Sequence, residues 1–209
     1  MTKDAEFVVQ VIAKSVLENE QYFSELDGVV GDADFGYSIA RGFEKVLQEW
    51  ENLDHSLPGN FLKKIATVIM GSVGGVSGSI WGTSFLRAGG SLGTKTAAEI
   101  QRADVIAMFR AAIEGIKKRG NTDLGDKTLL DALVPAVDQL EKSFRDGKDT
   151  ATALEEAALV ARESAEATRP MIAKKGRAAY TGERSIGTLD AGAVAMAVLF
   201  EAVSKAWKE

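Results

Sequence analysis

Apolar residues recur every three to four positions along most of this chain, and this spacing restricts its possible folds more than any other feature. The pattern is clearest over residues 39–50, 61–69, 106–116, 130–144 and 196–207. Such spacing gathers apolar side chains on one face of an α-helix, whereas a half-buried strand alternates apolar and polar residues. Convincing alternation is absent. The sequence therefore predicts an all-α protein.

The expected architecture is a barrel or bundle of about eight antiparallel amphipathic helices. They are predicted at about 4–25, 37–50, 58–71, 78–88, 97–119, 127–146, 150–168 and 190–208. A chain of 209 residues that is 45% hydrophobic can bury one sizeable core, so a single domain over residues 1–209 is expected.

The connections between these helices fall into two groups. Those at about 51–57, 89–96 and 147–149 are plain, whereas those at 27–36, 72–77, 120–126 and 169–189 are rich in glycine, aspartate or basic residues. The rich connections are the first, third, fifth and seventh. Odd-numbered connections of an up-down bundle lie at the same end. We therefore expect one site, built from four loops at one end of the bundle.

Charge and composition exclude several classes of function. The net charge is -5, so the chain lacks the global basic footprint of proteins that bind nucleic acid or anionic membranes. The absence of cysteine excludes disulfides and thiolate metal sites. The N-terminus lacks a signal-peptide pattern, and no apolar run approaches the roughly 18 residues of a membrane span. The expected location is the cytoplasm.

Three aspartates crowd the first rich connection, which we call the aspartate loop (residues 27–36). Asp27, Asp32 and Asp34 lie within eight residues, beside glycines that can bend the backbone. Mg²⁺ prefers oxygen ligands and usually takes a few carboxylates together with phosphates and water. The loop could hold one or two such ions. The alternative is a solvated turn in which Asp32 or Asp34 caps the next helix.

The other rich connections suit anions. In the glycine-rich connection (residues 72–77), backbone N–H groups at a helix start could approach a phosphate, or small residues could simply allow close helix packing. In the fifth connection, Lys127 could contact phosphate, but an ordinary surface lysine is the preferred interpretation. The basic loop (residues 169–189) carries Arg177 and Arg184, which suit phosphate binding or transfer. Its length favours a function over a mobile loop without one.

Four segments together resemble the DhaL family, the nucleotide-binding subunits of dihydroxyacetone kinases. They read GDADFG at 31–36, SVGGVSG at 72–78, GDKTLLD at 125–131 and GRAAYTGERSIG at 176–187. They occur in the family's order and spacing across nearly the whole chain, so the combination is far more specific than any one of them.

The resemblance implies a barrel of eight antiparallel helices with ADP or ATP bound at one end. It implies that Asp27, Asp32 and Asp34 bind two Mg²⁺ ions that carry the diphosphate, and that Arg177 is the catalytic residue. The residues implied to border the nucleotide are Phe35, Gly36, Ser38, Val76, Ser77, Gly120, Leu129, Arg177, Asp190, Ala191 and Gly192.

The resemblance also implies partners. In this family a separate subunit or domain holds the ketose, and a phosphotransferase-system carrier protein recharges the bound ADP in two-subunit systems. A transcriptional regulator is a further partner that the resemblance allows. Since the chain carries no ketose-binding segment, we expect the two-subunit arrangement. The alternatives are an ATP-dependent subunit acting on a tetrulose or in a fatty-acid-kinase-like system, a non-catalytic regulatory adaptor, and a purely structural bundle.

The chain departs from the family pattern at four positions. Phe35 and Thr188 stand where histidines are common, and Ser79 and Ala191 stand where proline is common. Phe35 cannot donate a side-chain hydrogen bond to phosphate, but the aspartates of the expected metal site are all present. His55 is the only histidine and is expected at the surface, which leaves no phosphohistidine carrier at the predicted site.

Overall fold

The computed structural model describes residues 4–209, and there the chain forms nine α-helices and no strand. The helices are α1 (Ala5–Glu18), α2 (Glu20–Gly28), α3 (Phe35–Gln48), α4 (Pro58–Ser72), α5 (Gly75–Leu92), α6 (Arg102–Gly120), α7 (Leu130–Arg145), α8 (Thr150–Glu166) and α9 (Ala191–Lys208). Short 3-10 helices cover Trp50–Asn52, Ala97–Glu99 and Arg177–Ser185. The predicted all-α class is confirmed.

Two predicted helices are divided in the structure. The one expected at 4–25 forms α1 and α2, because Asn19 leaves helical geometry and its side-chain amide donates to the Ser15 carbonyl at 2.8 Å. The one expected at 97–119 forms a 3-10 turn and then α6. A capping box of Thr96 and Glu99 fixes that turn, as the spacing indicates.

The glycine-rich connection is shorter than predicted. Helix α5 begins at Gly75 rather than at residue 78, so Val76 and Ser77 lie in its first turn. Gly75 adopts a φ of 66°, a conformation that favours glycine and lets the chain turn directly from α4 into α5. Periodicity could not show this early start, because the first turn of α5 has few apolar residues.

The chain divides into two compact units, each with its own core. The first contains Ser38–Asn121 and the described residues up to Ala13. In it α4 packs on α5, and α5 packs on α6. A side chain at Gly59 would stand 2.9 Å from the Gly89 carbonyl oxygen, so α4 and α5 approach closely at paired glycines. Fully buried side chains of this unit include those of Phe43, Phe61 and Ile65.

The second unit contains Lys14–Tyr37 and Thr122–Glu209. Here α8 packs against both α7 and α9, and α2 also contacts α9. The buried face of α8 is largely alanine, which lets its neighbours approach closely. Phe23, Leu130, Leu140 and Val194 are among the fully buried side chains. The single domain predicted over residues 1–209 stays a prediction.

No helix within residues 4–209 combines the length and the apolar character needed to cross a membrane. His55 lies in the first unit and is exposed, as expected for a surface residue. Its Nε2 is 2.9 Å from the Trp50 carbonyl oxygen, and its Nδ1 is 2.9 Å from a carboxylate oxygen of Glu6. These contacts raise its pKa and give the side chain a structural role.

Candidate functional site

The aspartate loop is folded around Asp27, in the last turn of α2. The Asp27 carboxylate accepts the backbone N–H groups of Asp34 at 3.1 Å and Phe35 at 3.4 Å. Its carbonyl oxygen accepts the Gly31 N–H at 2.6 Å. A Cβ on Gly31 would lie 2.8 Å from the Asp27 carbonyl oxygen, so a side chain there would overlap the backbone. Asp27 thus fixes the path of the chain from α2 into α3.

The carboxylates of this loop repel one another. Burial raises the pKa of Asp27, the backbone N–H of Phe35 opposes this, and the charges of Asp32 and Asp34 raise it further. Oxygen donors that repel one another suit a hard divalent cation, which would relieve the repulsion. As the side chains stand, however, no three acidic or histidine groups within residues 4–209 lie close enough to hold a metal ion.

Arg177 supplies the positive charge at this loop. Its Nε lies 2.7 Å from a carboxylate oxygen of Asp32, which joins the basic loop to the aspartate loop. The Arg177 side chain is 69% exposed, so it has room to turn toward a ligand. It begins the 3-10 helix Arg177–Ser185, directly after Gly176 with a φ of 65°. Arg184, the other predicted cation, is exposed.

The start of α3 is held tightly against α2. A Cβ on Gly36 would lie 2.1 Å from the Glu20 carbonyl oxygen, and the Tyr37 N–H donates to the Ser24 hydroxyl at 3.1 Å. The ring of Phe35 packs against Phe23, with 6.2 Å between centroids. At the position where histidine is common in the family, this chain therefore has an apolar contact with its core.

Lys127 is not the surface lysine that was predicted. It is 2% exposed, and its Nζ donates to the carbonyl oxygens of Met171 at 3.1 Å, Thr188 at 2.8 Å and Ser185. Burial lowers its pKa, which the negative charge of Asp190 partly offsets. Sequence spacing offered no sign of this, because the acceptors are backbone carbonyls far along the chain.

The fifth connection is tied to the basic loop a second time. The Lys174 ammonium donates to the Gly125 carbonyl oxygen at 2.8 Å. The backbone N–H of Lys174 donates to the Asp126 carbonyl oxygen at 3.0 Å. The Asp126 carboxylate accepts the Asp123 N–H at 3.0 Å and so stays within this connection. Asp131 accepts the N–H groups of Gly125 and Thr128, at 2.6 and 2.7 Å. Three of the four rich connections therefore have contacts within the second unit, and the convergence of all four on one site stays a prediction.

Asp190 caps α9, accepting the Ala193 N–H at 2.7 Å. Burial raises the pKa of Asp190 to about 7, the Ala193 hydrogen bond opposes this, and the charge of Asp131 adds to it. A Cβ on Gly192 would lie 3.2 Å from the Cβ of Leu129, so these two predicted residues face each other. Ala191, between Asp190 and Gly192 in the first turn of α9, is half-buried.

The remaining predicted residues belong to the first unit. Ser38 lies in α3 and is half-buried, Val76 is 67% exposed, and Gly120 ends α6. Ser77 borders a small apolar pocket formed with Ile39, Phe43, Ile69, Val73 and Trp81. In this structure its neighbours are therefore apolar.

Comparison with known proteins decides the family. The model of the DAK2 domain matches residues 29–205. The chain is 37% identical to the "PEP-dependent dihydroxyacetone kinase, ADP-binding subunit DhaL" of Escherichia coli (strain K12), over 90% of this chain and 89% of that protein. It is 36% identical to the "PTS-dependent dihydroxyacetone kinase, ADP-binding subunit DhaL" of Lactococcus lactis, over 90% and 88%. This chain belongs to the DhaL family of DAK2-domain proteins.

Solved structures show the fold of this DhaL-family chain. The dihydroxyacetone kinase of C. freundii in its native form aligns with a TM-score of 0.74 and 23% identity, over 97% of this chain and 34% of that one. The same kinase in complex with AMP-PNP and Mg²⁺ aligns with a TM-score of 0.73. This chain thus spans about a third of those kinase chains.

Proposed function

We propose that this chain is the nucleotide-binding subunit of a dihydroxyacetone-type kinase, a phosphotransferase that passes a phosphoryl group to a ketose. One observation carries the proposal: the aspartate loop and Arg177 meet at 2.7 Å in a DhaL-family chain. Acidic side chains for a cation and an arginine for phosphate are the parts that phosphoryl transfer needs, because that reaction depends on positioning and charge neutralisation.

Asp27, Asp32 and Asp34 are the proposed magnesium ligands, with two ions in the full site. When bound, magnesium would neutralise charge on the phosphates. The three carboxylates would have to turn toward a common centre, and Asp32 would have to leave Arg177. Support for this comes from their mutual repulsion and from the exposure of Arg177, which leaves its side chain room to turn.

Arg177 is the proposed catalytic residue. Its guanidinium has several donors in one plane, which suits the oxygens of a phosphate better than a single carboxylate. Released from Asp32, it would stabilise the charge that spreads over the transferred group. Gly36, with Phe35, and the facing pair Leu129 and Gly192 are proposed to border the nucleotide.

Further proposed nucleotide neighbours lie at the start of α9 and in the first unit. Asp190 and Ala191 begin α9 beside Gly192, so a role in closing the pocket is proposed for them as well. Nucleotide contact by Ser38, Val76, Ser77 and Gly120, in the first unit, stays a prediction.

The ketose is proposed to lie on a separate kinase subunit, with a phosphotransferase-system carrier recharging the ADP. The names of the E. coli and Lactococcus lactis relatives, "PEP-dependent" and "PTS-dependent", support this arrangement. The only histidine, His55, is engaged by Trp50 and Glu6 and is not offered as a carrier. We place the reaction in the cytoplasm, in keeping with a chain without cysteine.

A tetrulose is the second candidate substrate. The chain is 33% identical to the "L-erythrulose 1-kinase" of Mycolicibacterium smegmatis, over 95% of this chain and 34% of that protein. It is 34% identical to the "L-erythrulose kinase" of Pectobacterium atrosepticum. Turnover assays with dihydroxyacetone and erythrulose, each presented on its own ketose-binding subunit, separate the two candidates.

The proposal is tested by titrating MgADP into the protein in a calorimeter. Asp32→Asn and Asp34→Asn should each weaken binding about 100-fold or more, because loss of even an outer-shell partner costs 10–100-fold in metal affinity. Helicity should not change. The matched control is Asp146→Asn, an exposed aspartate at the end of α7. Wild-type affinity in both loop variants would remove the three-aspartate site.

A further inference from the structure

Lys127 occupies an unusual place for a lysine. Lysines are rarely fully buried unless they are paired, yet this one is 2% exposed. An ammonium group has three donors and no acceptor, and the carbonyl oxygens of Met171, Ser185 and Thr188 match that number. The Thr188 hydroxyl oxygen, at 3.3 Å, is a further acceptor. A single nitrogen therefore satisfies three backbone groups at once.

All three carbonyls belong to the basic loop. Met171 lies near its beginning, whereas Ser185 and Thr188 lie near its end, and Arg177 stands between them. By donating to carbonyls at both ends, Lys127 holds the two ends of the segment that carries Arg177 close together. The Ser185 hydroxyl reinforces the same closure by accepting the Ala173 N–H at 2.9 Å.

Lys127 is itself fixed to the rigid part of the unit. It adopts a φ of 60°, which is uncommon for a residue with a side chain. On either side of it, the N–H groups of Gly125 and Thr128 are held by the carboxylate of Asp131, in the first turn of α7. A continuous series of contacts thus runs from α7 through Lys127 to the basic loop.

We propose that Lys127 is a positioning residue, which orders the basic loop so that Arg177 stays beside the aspartate loop. The part concerning phosphoryl transfer rests on the proposed function, whereas the ordering of the loop does not. Arginine should not replace Lys127, because a planar guanidinium spreads its donors and cannot present three from one nitrogen.

The test compares the full-length protein with Lys127→Met and Lys127→Arg. The control is Lys205→Met, an exposed lysine on α9 in the same unit. In hydrogen exchange, amides of the basic loop, including those of Lys174 and Gly187, should exchange about tenfold faster in both Lys127 variants. The reason is that losing the hydrogen bonds from Lys127 lowers the free energy needed to open the loop locally. Amides of α8 and α9 should exchange as in the wild type, and Lys205→Met should change nothing.

Kinetics then separate positioning from folding. With a ketose-binding subunit and the phosphoryl donor that supports turnover, Lys127→Met should lower kcat by about 10–100-fold with KM for that donor little changed, because small misplacements of a catalytic group cost about that much. If the wild type binds no MgADP, the proposed function fails, while loop exchange still decides the role of Lys127. Wild-type loop exchange in folded Lys127→Met would overturn the inference.

A milder variant covers the case in which Lys127→Met does not fold. Thr188→Val removes one acceptor of Lys127 and the bond from the Thr188 hydroxyl to the Ser185 carbonyl, at 2.7 Å. It should speed exchange in the basic loop alone, by a smaller factor than Lys127→Met. Unchanged exchange in the basic loop of both Thr188→Val and Lys127→Arg would equally overturn the inference.

Discussion

The basic loop and the glycine-rich connection are both predicted to meet phosphate, but they are held in place by different means. Side chains from elsewhere fix the basic loop: Lys127 binds three of its carbonyls, and Asp32 pairs with Arg177. The glycine-rich connection is fixed by its own backbone. A Cβ on Gly78 would lie 1.9 Å from the Val73 carbonyl oxygen, so the chain folds back on itself there without room for a side chain.

This difference predicts different sensitivities. A loop held by charged side chains should respond to their removal and to pH, and it can release a side chain such as Arg177 to a ligand. A connection held by close backbone contact should be indifferent to charge and sensitive to added volume. Four variants distinguish these cases.

Arg177→Ala should have the largest effect of the four variants, and it should affect the rate of phosphoryl transfer but not the stability of the fold. We expect phosphoryl transfer to fall about 100-fold or more, because an arginine that stabilises the transferred charge is worth 10³–10⁵ in related reactions. Stability should change by less than about 0.5 kcal/mol, as for other exposed surface positions. Steady-state kinetics and urea unfolding measure the two quantities, with exposed Arg145→Ala as the control. Wild-type turnover in Arg177→Ala would contradict its catalytic role.

Gly78→Ala should disturb the glycine-rich connection through volume. The added methyl would overlap the Val73 carbonyl, so we expect a loss of about 1–3 kcal/mol in the free energy of unfolding, typical of overpacking. Urea unfolding measures it. Gly90→Ala is the control, since it lies in the same helix and its Cβ would meet nothing within 4 Å. Equal stability of the two variants would show that the contact at Gly78 relaxes freely.

Asp190, at the end of the basic loop, should make stability depend on pH. Its pKa of about 7 in the folded protein exceeds the roughly 3.9 of an unfolded aspartate, so folding favours the protonated form. Its contribution to stability is therefore complete below about pH 4 and is lost as pH rises toward about 7.

Asp190→Asn tests this, since an asparagine can still accept the Ala193 N–H but does not titrate. The stability of Asp190→Asn relative to wild type should increase between about pH 4 and 7 and then stay level. Urea unfolding at a series of pH values measures the difference. A constant difference would mean that Asp190 titrates alike in the folded and unfolded chain.

Gly71→Ala should have the smallest effect, with the opposite sign to Gly78→Ala. Gly71 is helical, in the last turn of α4, and its Cβ would meet nothing within 4 Å. Alanine should therefore raise the free energy of unfolding by about 0.5 kcal/mol, because it loses less backbone entropy than glycine on folding. Thermal unfolding detects such a change. A destabilised variant would mean that Gly71 is needed for more than helix formation.

Sequence periodicity predicted the helices well where apolar stripes are long. Buried Ile39, Phe43 and Val46 lie on one predicted face of α3. Periodicity failed where short-range bonds decide, as at Asn19, and where a helix begins with glycines rather than apolar residues, as at Gly75. Such boundaries depend on local bonding that an apolar pattern does not record.

Only part of the candidate site could be predicted, because a sequence displays charges but not the tertiary contacts of backbone groups. Asp27, Asp32 and Arg177 carry charges that the sequence displays, and the contact between their loops follows from the order of the connections. The role of Lys127 could not be predicted, because its partners are backbone carbonyls 44 to 61 positions away and every residue type has a carbonyl. Burial of a lysine is a tertiary property.

The central claim is that the aspartate loop holds a magnesium nucleotide. Native mass spectrometry of the purified protein, with and without EDTA, tests it most directly. We predict a bound mass equal to ADP and two magnesium ions, which chelation removes, or uptake of ATP that requires added Mg²⁺. A protein that takes up neither nucleotide in the presence of Mg²⁺ would contradict the claim.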